Sequence, residues 1–443
     1  PRARFVAEIG ACGRELGPRA RLYGSAAVAD DFDAVRAALG LDRFDLWGES
    51  YGTYLMPVYA ARHPEHVRSM VLSGTYPIAF DAWGLDRLGA ARRAIRLVCA
   101  RTRACRGDAV LRDVAALAAR LRVRPVVLTI PVGARRFRAR LDENALAALV
   151  YTGGNAALFG ALPAAVAGAR DGDLAPLRRL VETSLLSTAI FFTERASGSV
   201  SLAQSFATQC HDYPRAFAFA DPPAARRAAY ESARAAIDRR AFFKFSPAAW
   251  TSAGFEAADT CIAWPDDPTA AAPVAPGTPM PAVPVLVLSA DLDANTPSFA
   301  GRQVAGQFAR ATFAEIPNEG HTPTGSACAL RLGVRFVVTT AARADACAGT
   351  GTPPPVAPRA ALRAAGLEPV RGAATPAERR ALGSSSPRRT TCTRRPASSR
   401  SSAPPGVCAA VGTSRTAGAS RWTASGSCAT RASPVSWSPP SAA

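Results

Sequence analysis

Lysine is almost absent: Lys244 is the single example in 443 residues. The formal net charge of +19 is therefore carried by arginine. Such a charge invites a nucleic-acid or membrane reading. The arginines are scattered among acidic residues until the C-terminal tail, however. Arginine and alanine in such excess over lysine point to a GC-rich gene rather than to selection for phosphate contacts. Nucleic acid is not expected as a partner. Long apolar runs are also missing: none reaches the ~18 residues that a membrane span requires. The chain opens Pro1-Arg2-Ala3-Arg4 without the apolar stretch of a signal peptide. None of the ten cysteines forms a C-x-x-C pair, and histidines at zinc spacing beside them are missing. No metal and no cofactor is expected. The length allows a large core and about two domains.

What is present centres on Phe44-Asp45-Leu46-Trp47-Gly48-Glu49-Ser50-Tyr51-Gly52. A short strand pattern, Phe44 to Trp47, runs into G-x-S-x-G. An apolar helical pattern follows at Tyr51, Tyr54, Leu55, Val58 and Tyr59. Strand, sharp turn and helix are the context of a nucleophile elbow. In such a turn a side chain at Gly48 or Gly52 is expected to collide with neighbouring backbone, and the Ser50 hydroxyl is pushed out above the sheet. The Tyr51 N–H then points at the place where an oxyanion forms. Pro64 stops the helix, and Met70-Val71-Leu72 reads as the next parallel strand. On spacing alone, a glycine-flanked turn with an ordinary serine remains open.

The elements around this unit follow from periodicity and breakers. Arg2 to Leu16 and Ser25 to Leu39 read as helices, the second capped by Ser25, with Val28, Phe32, Val35 and Leu39 on one face. From about Asp81 to Pro281 the pattern becomes helical and alanine-rich, with a short hairpin over Val126 to Pro131 and Arg136 to Leu141. Such an insertion after a core strand has the character of a cap. Pro268 to Pro284 is a linker. Val285-Leu286-Val287-Leu288 is an unbroken apolar strand of the parallel-sheet type. Pro297 to Phe308 is helical, Thr312 to Ile316 a strand, and Gly325 to Thr340 the last helix. The division expected is 1–80 core, 81–281 cap, 282–350 core, and a Pro/Ala/Arg/Ser-rich tail over 351–443 that should be disordered. The fold class is α/β.

A serine nucleophile of this kind needs an acid and a histidine, in chain order Ser, Asp or Glu, His. There are four histidines. His63 and His66 flank the end of the elbow helix, and His211 lies in the cap. His321 follows a strand and a glycine, on a loop closed by Pro323, and is the candidate base. The loop after the preceding strand offers Asp291 and Asp293. Asp293 lies further out and is the candidate acid; Asp291 reads as structural. The cysteines pair plausibly as Cys99 with Cys105, Cys210 with Cys261 and Cys328 with Cys347. Buried free thiols are the other reading.

With these residues in hand, the segments Asp31–Gly40, Gly48–Thr53, Asp293–Pro297 and Gly320-His321 resemble the α/β-hydrolase family of tripeptidyl aminopeptidases and proline iminopeptidase-like serine peptidases. The resemblance covers roughly residues 5 to 350, with a TAP-like part from about Val283 to Cys347. Cys210-His211-Asp212 and Cys261 followed by Trp264-Pro265 match in the cap. The resemblance implies a triad of Ser50, Asp293 and His321 and an exported or cell-envelope bacterial enzyme. It implies removal of residues or tripeptides from peptide N-termini, with a carboxylesterase as the alternative. A peptide or small ester is the expected partner; oligomeric state is not indicated. An aminopeptidase needs an acid to hold the substrate ammonium, and Asp212 and Glu256 are candidates. The family also places strands and an HG-type oxyanion loop before the elbow. Here 43 residues precede Phe44, and no histidine precedes Ser50. A truncated, poorly soluble or inactive fragment is therefore a further expectation from the sequence.

Overall fold

The computed structural model describes residues 2–132, 135–151, 154–191, 201–254 and 256–359. Two helices lead, α1 (Arg2–Leu16) and α2 (Ser25–Ala38). β1 (Phe44–Glu49), α3 (Gly52–Arg62) and β2 (Val67–Ser73) form the expected strand–helix–strand unit. A helical stretch follows: α4 (Leu85–Thr102), α5 (Gly107–Val123), the hairpin β3 (Val126–Val132) and β4 (Arg135–Leu141), then α6 (Glu143–Tyr151), α7 (Ala156–Arg170), α8 (Ala175–Phe191), α9 (Leu202–Asp212), α10 (Pro223–Ala235) and the short α11 (Pro247–Thr251). The chain returns to the sheet in β5 (Val285–Ala290), α12 (Ser298–Ala305), β6 (Ala311–Ile316) and α13 (Ala327–Thr339).

The central sheet has the order β1-β2-β5-β6, all parallel. β5 is buried along its whole length, as an apolar run inside a sheet covered on both faces must be. Its side chains alternate between two cores. Val285 and Val287 join Met70 and Leu72 against Tyr54, Val58 and Tyr59 of α3. Leu286 and Leu288 join Val71 against Leu332 and Phe336 of α13. The period of two in the strands thus assigns one helix to each face. The helical stretch has a core of its own, drawn from α4 to α8 and the hairpin, where Leu128, Ile130, Ala139 and Leu141 point inward.

Three of the expected disulfides are present among the described residues. Cys99–Cys105 closes the turn between α4 and α5, Cys210–Cys261 ties α9 to the segment before the linker, and Cys328–Cys347 ties α13 to the chain beyond it. Two sequence expectations fail at α2. Ser25 is its first helical residue rather than its cap; its N–H is taken by the Asp212 carboxylate at 2.7 Å. Most of the expected apolar face is turned outward: Phe32, Val35 and Leu39 are 39%, 54% and 65% exposed, while Val28 packs half-buried against the sheet core. α2 meets α3 instead through Ala29, which is buried, and through Asp33, which accepts from the Tyr59 hydroxyl and from Arg36. A narrow inner face of small and polar residues lets the helices approach closely, and the larger apolar side chains are left outside. Beyond residue 350 the described chain still packs: Pro354 is buried, and Ala357 N–H donates to Gly160 O at 2.9 Å. Gly160 permits this, since a Cβ there would lie 2.3 Å from Pro355 O. The rest of the expected tail, from residue 360, lies outside the described residues.

Candidate active site

Ser50 follows the C-terminal end of β1 and has φ +50°, a left-handed conformation unfavourable for a residue with a Cβ. The surroundings hold it there. Its N–H donates to Ser73 O at 3.0 Å, and its carbonyl accepts from Thr53 N–H at 2.8 Å and Thr53 Oγ1 at 2.6 Å. The turn requires Gly48: a Cβ there would stand 2.3 Å from Gly52 O. The converse expectation for Gly52 is overturned. A Cβ on Gly52 meets nothing within 4 Å, because it would point away from the turn at the first residue of α3. Tyr51 carries the N–H that follows Ser50 and caps α3. Its ring is tied down by a 2.8 Å hydrogen bond between its hydroxyl and Ser25 Oγ, and burial pushes its pKa up to about 12.

Ser50, Asp293 and His321 come from the C-terminal ends of β1, β5 and β6, the edge of a parallel sheet at which ligands bind. His321 Nε2 stands 2.7 Å from Ser50 Oγ. On its other side, Nδ1 stands 2.9 Å from Asp293 Oδ2. Asp293 is buried, and its carboxylate is filled from behind: Oδ1 accepts from Asn295 N–H at 2.7 Å and Thr296 N–H at 2.9 Å, and Oδ2 from the Thr296 hydroxyl at 2.6 Å. Thr296 Oγ1 also lies 3.0 Å from His321 Nδ1. Thr296 directly precedes the helix read from the sequence over Pro297 to Phe308, and nothing in that pattern signals this contact. Asp291 faces elsewhere. It pairs with Arg101 and accepts from Asn318 N–H at 2.8 Å.

Glycines make room for the imidazole. Gly74, with φ +69°, follows β2, and a Cβ there would lie 3.2 Å from His321 Cε1. Gly154, between α6 and α7, lies against the histidine from the helical stretch; a Cβ there would come within 2.9 Å of His321 Cβ.

A cavity of about 80 Å³ opens at Ser50 and Tyr51. Three carboxylates, Asp81, Asp86 and Glu256, face one guanidinium, Arg87, in its lining. Glu256 pairs with Arg87 at 2.8 Å. Burial, with Asp81 beside it, raises the Asp86 pKa above its usual value. Ala79 and Tyr213 also line an adjoining groove of about 780 Å³, whose wall includes Ile78, Phe217, Phe219 and Met280. Asp212, the other acid read from the sequence, lines that groove rather than the cavity. Its oxygens are occupied by Ser25 N–H and by His211 Nδ1, each at 2.7 Å. His63 and His66 lie away from Ser50 and, with Asp33, are grouped closely enough to share a metal ion.

The family model described as alpha/beta hydrolase fold matches residues 6–146, which include Ser50. The model described as TAP-like protein matches residues 246–348, which include Asp293 and His321. Shorter matches occur to individual proteins. The serine protease Hip1 of Mycobacterium tuberculosis is 42% identical over 67 residues, 15% of this chain and 13% of that protein. The tripeptidyl aminopeptidase of Streptomyces lividans is 51% identical over 45 residues, 10% of this chain and 8% of that one. A 1-acylglycerol-3-phosphate O-acyltransferase of Arabidopsis thaliana is 40% identical over 53 residues, 12% of this chain and 13% of that one. The matched stretches thus span about an eighth or less of these relatives. With its parallel sheet, its strained serine at a strand end and both models in chain order, the chain is an α/β-hydrolase-fold protein with a TAP-like C-terminal part.

Proposed function

We propose that the protein is a serine hydrolase that cleaves peptides near their N-terminus through Ser50, His321 and Asp293. The observation that carries this reading is the unbroken line of contacts, Ser50 Oγ to His321 Nε2 at 2.7 Å and His321 Nδ1 to Asp293 Oδ2 at 2.9 Å. In this mechanism Ser50 Oγ attacks the scissile carbonyl while His321 Nε2 takes its proton. Asp293 holds the Nδ1–H and stabilises the imidazolium that forms. The Tyr51 N–H, at the positive end of α3, donates to the developing oxyanion. Collapse breaks the C–N bond, and His321 returns the proton to the leaving amine. The acyl group stays on Ser50 until a water, deprotonated by His321, releases it and restores the serine.

The N-terminal preference rests on charge. Three carboxylates against one guanidinium leave the cavity acidic, and burial, with Asp81 beside it, raises the Asp86 pKa. A substrate ammonium would relieve it, with Glu256 and its neighbours as partners. The disulfides suit an oxidising compartment, so export belongs to the same proposal. The apolar lining of the adjoining groove favours a second reading, an esterase that seats an acyl chain there.

The test compares fluorogenic peptides with a free or an acetylated N-terminus, alongside short- and long-chain nitrophenyl esters. The proposal expects turnover of free peptides only, and fluorophosphonate labelling that Ser50→Ala abolishes. Labelling that survives Ser50→Ala would overturn the nucleophile. Preference for long-chain esters over free peptides would overturn the peptidase reading in favour of the second.

A further inference from the structure

His63 and His66 bracket Pro64 and Glu65 at the exit of α3, and their rings lie nearly parallel, with centroids 6.2 Å apart. Each presents its inner nitrogen to one carboxylate of α2. His66 Nδ1 is 2.6 Å from Asp33 Oδ1, and His63 Nδ1 is 3.8 Å from Asp33 Oδ2. Each presents its outer nitrogen to a different carboxylate. His63 Nε2 is 2.9 Å from Asp30 Oδ1, and His66 Nε2 is 3.7 Å from Glu65 Oε1. One ligand atom from each of Asp33, His63 and His66 falls within 4.8 Å of the others.

This arrangement has a chemical consequence. A neutral imidazole carries one N–H. When the outer nitrogen of His63 donates to Asp30, its inner nitrogen is left as a lone pair facing Asp33 Oδ2. Two lone pairs facing each other across 3.8 Å repel. A cation between them would turn that repulsion into two bonds, since zinc bonds to nitrogen and oxygen are each about 2.0–2.2 Å. A carboxylate behind a ligating imidazole is the usual device for fixing the tautomer and raising the basicity of the metal-facing nitrogen. The charges also permit it. Asp30, Asp33 and Glu65 face Arg62, paired with Asp30, and Arg36, paired with Asp33. Arg36 and the Tyr59 hydroxyl both bond chiefly to Oδ1, at 2.8 and 2.9 Å, whereas Oδ2 has Arg36 only at 3.4 Å. Oδ2 is the oxygen left for a cation.

We propose that Asp33, His63 and His66 form a binding site for a divalent ion of the zinc type, with Asp30 and Glu65 orienting the imidazoles. Two imidazoles and one carboxylate suit zinc among the divalent ions and leave a fourth position for water. The site joins α2 to the connection between α3 and β2, away from Ser50, and its role is to clamp that helix. The sequence shows no zinc spacing around its cysteines, and the two histidines acquire a shared partner only when α2 packs beside them.

The test uses the untagged full chain, stripped with chelator and titrated with zinc, reading bound zinc per chain and the shift in thermal midpoint. Cobalt as a probe adds a visible absorption spectrum. The expected result is one zinc per chain, with binding weakened at least tenfold in His63→Gln and His66→Gln and unchanged in His321→Gln. Asp30→Asn, which removes only the orienting carboxylate, should weaken binding about 10- to 100-fold. Zinc binding that is undetectable, or that survives the paired His63→Gln and His66→Gln changes, would overturn the site. If a histidine variant misfolds, the exposed Asp30→Asn decides: unchanged affinity there also overturns it.

Discussion

The backbone N–H of His321 donates to the carbonyl of Gly154 at 2.7 Å. The loop between α6 and α7 thereby fastens the loop that carries the imidazole. The approach is so close that neither chain tolerates a side chain: a Cβ on Gly320 would lie 2.3 Å from Gly154 O. The position of the proposed base is therefore set partly from the helical stretch.

Gly154→Ala should displace His321, because the new Cβ would come within 2.9 Å of the His321 Cβ. A displacement near 1 Å at a reacting group costs about 10²-fold in rate. We expect kcat to fall by that order, with a drop in thermal midpoint no larger than an overpacked contact of about 1–3 kcal/mol produces. Steady-state kinetics and a melting curve on one preparation check it; full activity would show that the loop yields elsewhere.

Exchange of the two neighbouring carboxylates separates their roles. Asp293→Asn should cost on the order of 10⁴-fold in kcat, as loss of the orienting acid does in such triads. Asp291→Asn should cost far less in kcat and more in stability, because it leaves Arg101 without its partner. The ranking is read from kcat and thermal midpoints measured side by side, and the reverse ranking would assign the acid to Asp291.

The two glycines of the elbow should respond in opposite directions. Gly48→Ala forces a Cβ against Gly52 O at 2.3 Å and should destabilise the fold by about 1–3 kcal/mol or more. Gly52→Ala meets open space in the first turn of a helix and should stabilise by about 0.4–1 kcal/mol. Chemical denaturation of both variants measures the difference.

His211 supplies a pH-dependent term at the start of α2. Its hydrogen bond to Asp212 raises its pKa above the usual 6.5, against the opposing effect of burial. The folded state thus binds this proton more tightly than the unfolded one. The stabilisation is complete below that ordinary value and is lost as pH rises through the raised one. The midpoint difference between wild type and His211→Gln should be largest near about pH 6 and shrink toward about pH 9. A difference that grows with pH would reverse the sign of the coupling.

The sequence alone carried the elbow and the strand periodicities, because each depends on residues close in the chain; it offered the three cysteine pairs beside a free-thiol reading, and the structure bonds all three. G-x-S-x-G after an apolar run is a local steric statement, and the alternation in β5 reports burial on two faces whatever the partners are. His321 and Asp293 were also candidates in the sequence, since both follow strands in the required order, and the structure brings both to Ser50. Only the tertiary structure brought Thr296 to the Asp293–His321 pair, turned Phe32, Val35 and Leu39 of the α2 face outward, made Asp212 the acceptor of the first N–H of that helix and placed Gly154 against the histidine loop. Each of these depends on which surfaces meet between segments far apart in the chain. Periodicity records that a face is apolar; only packing decides what lies against it.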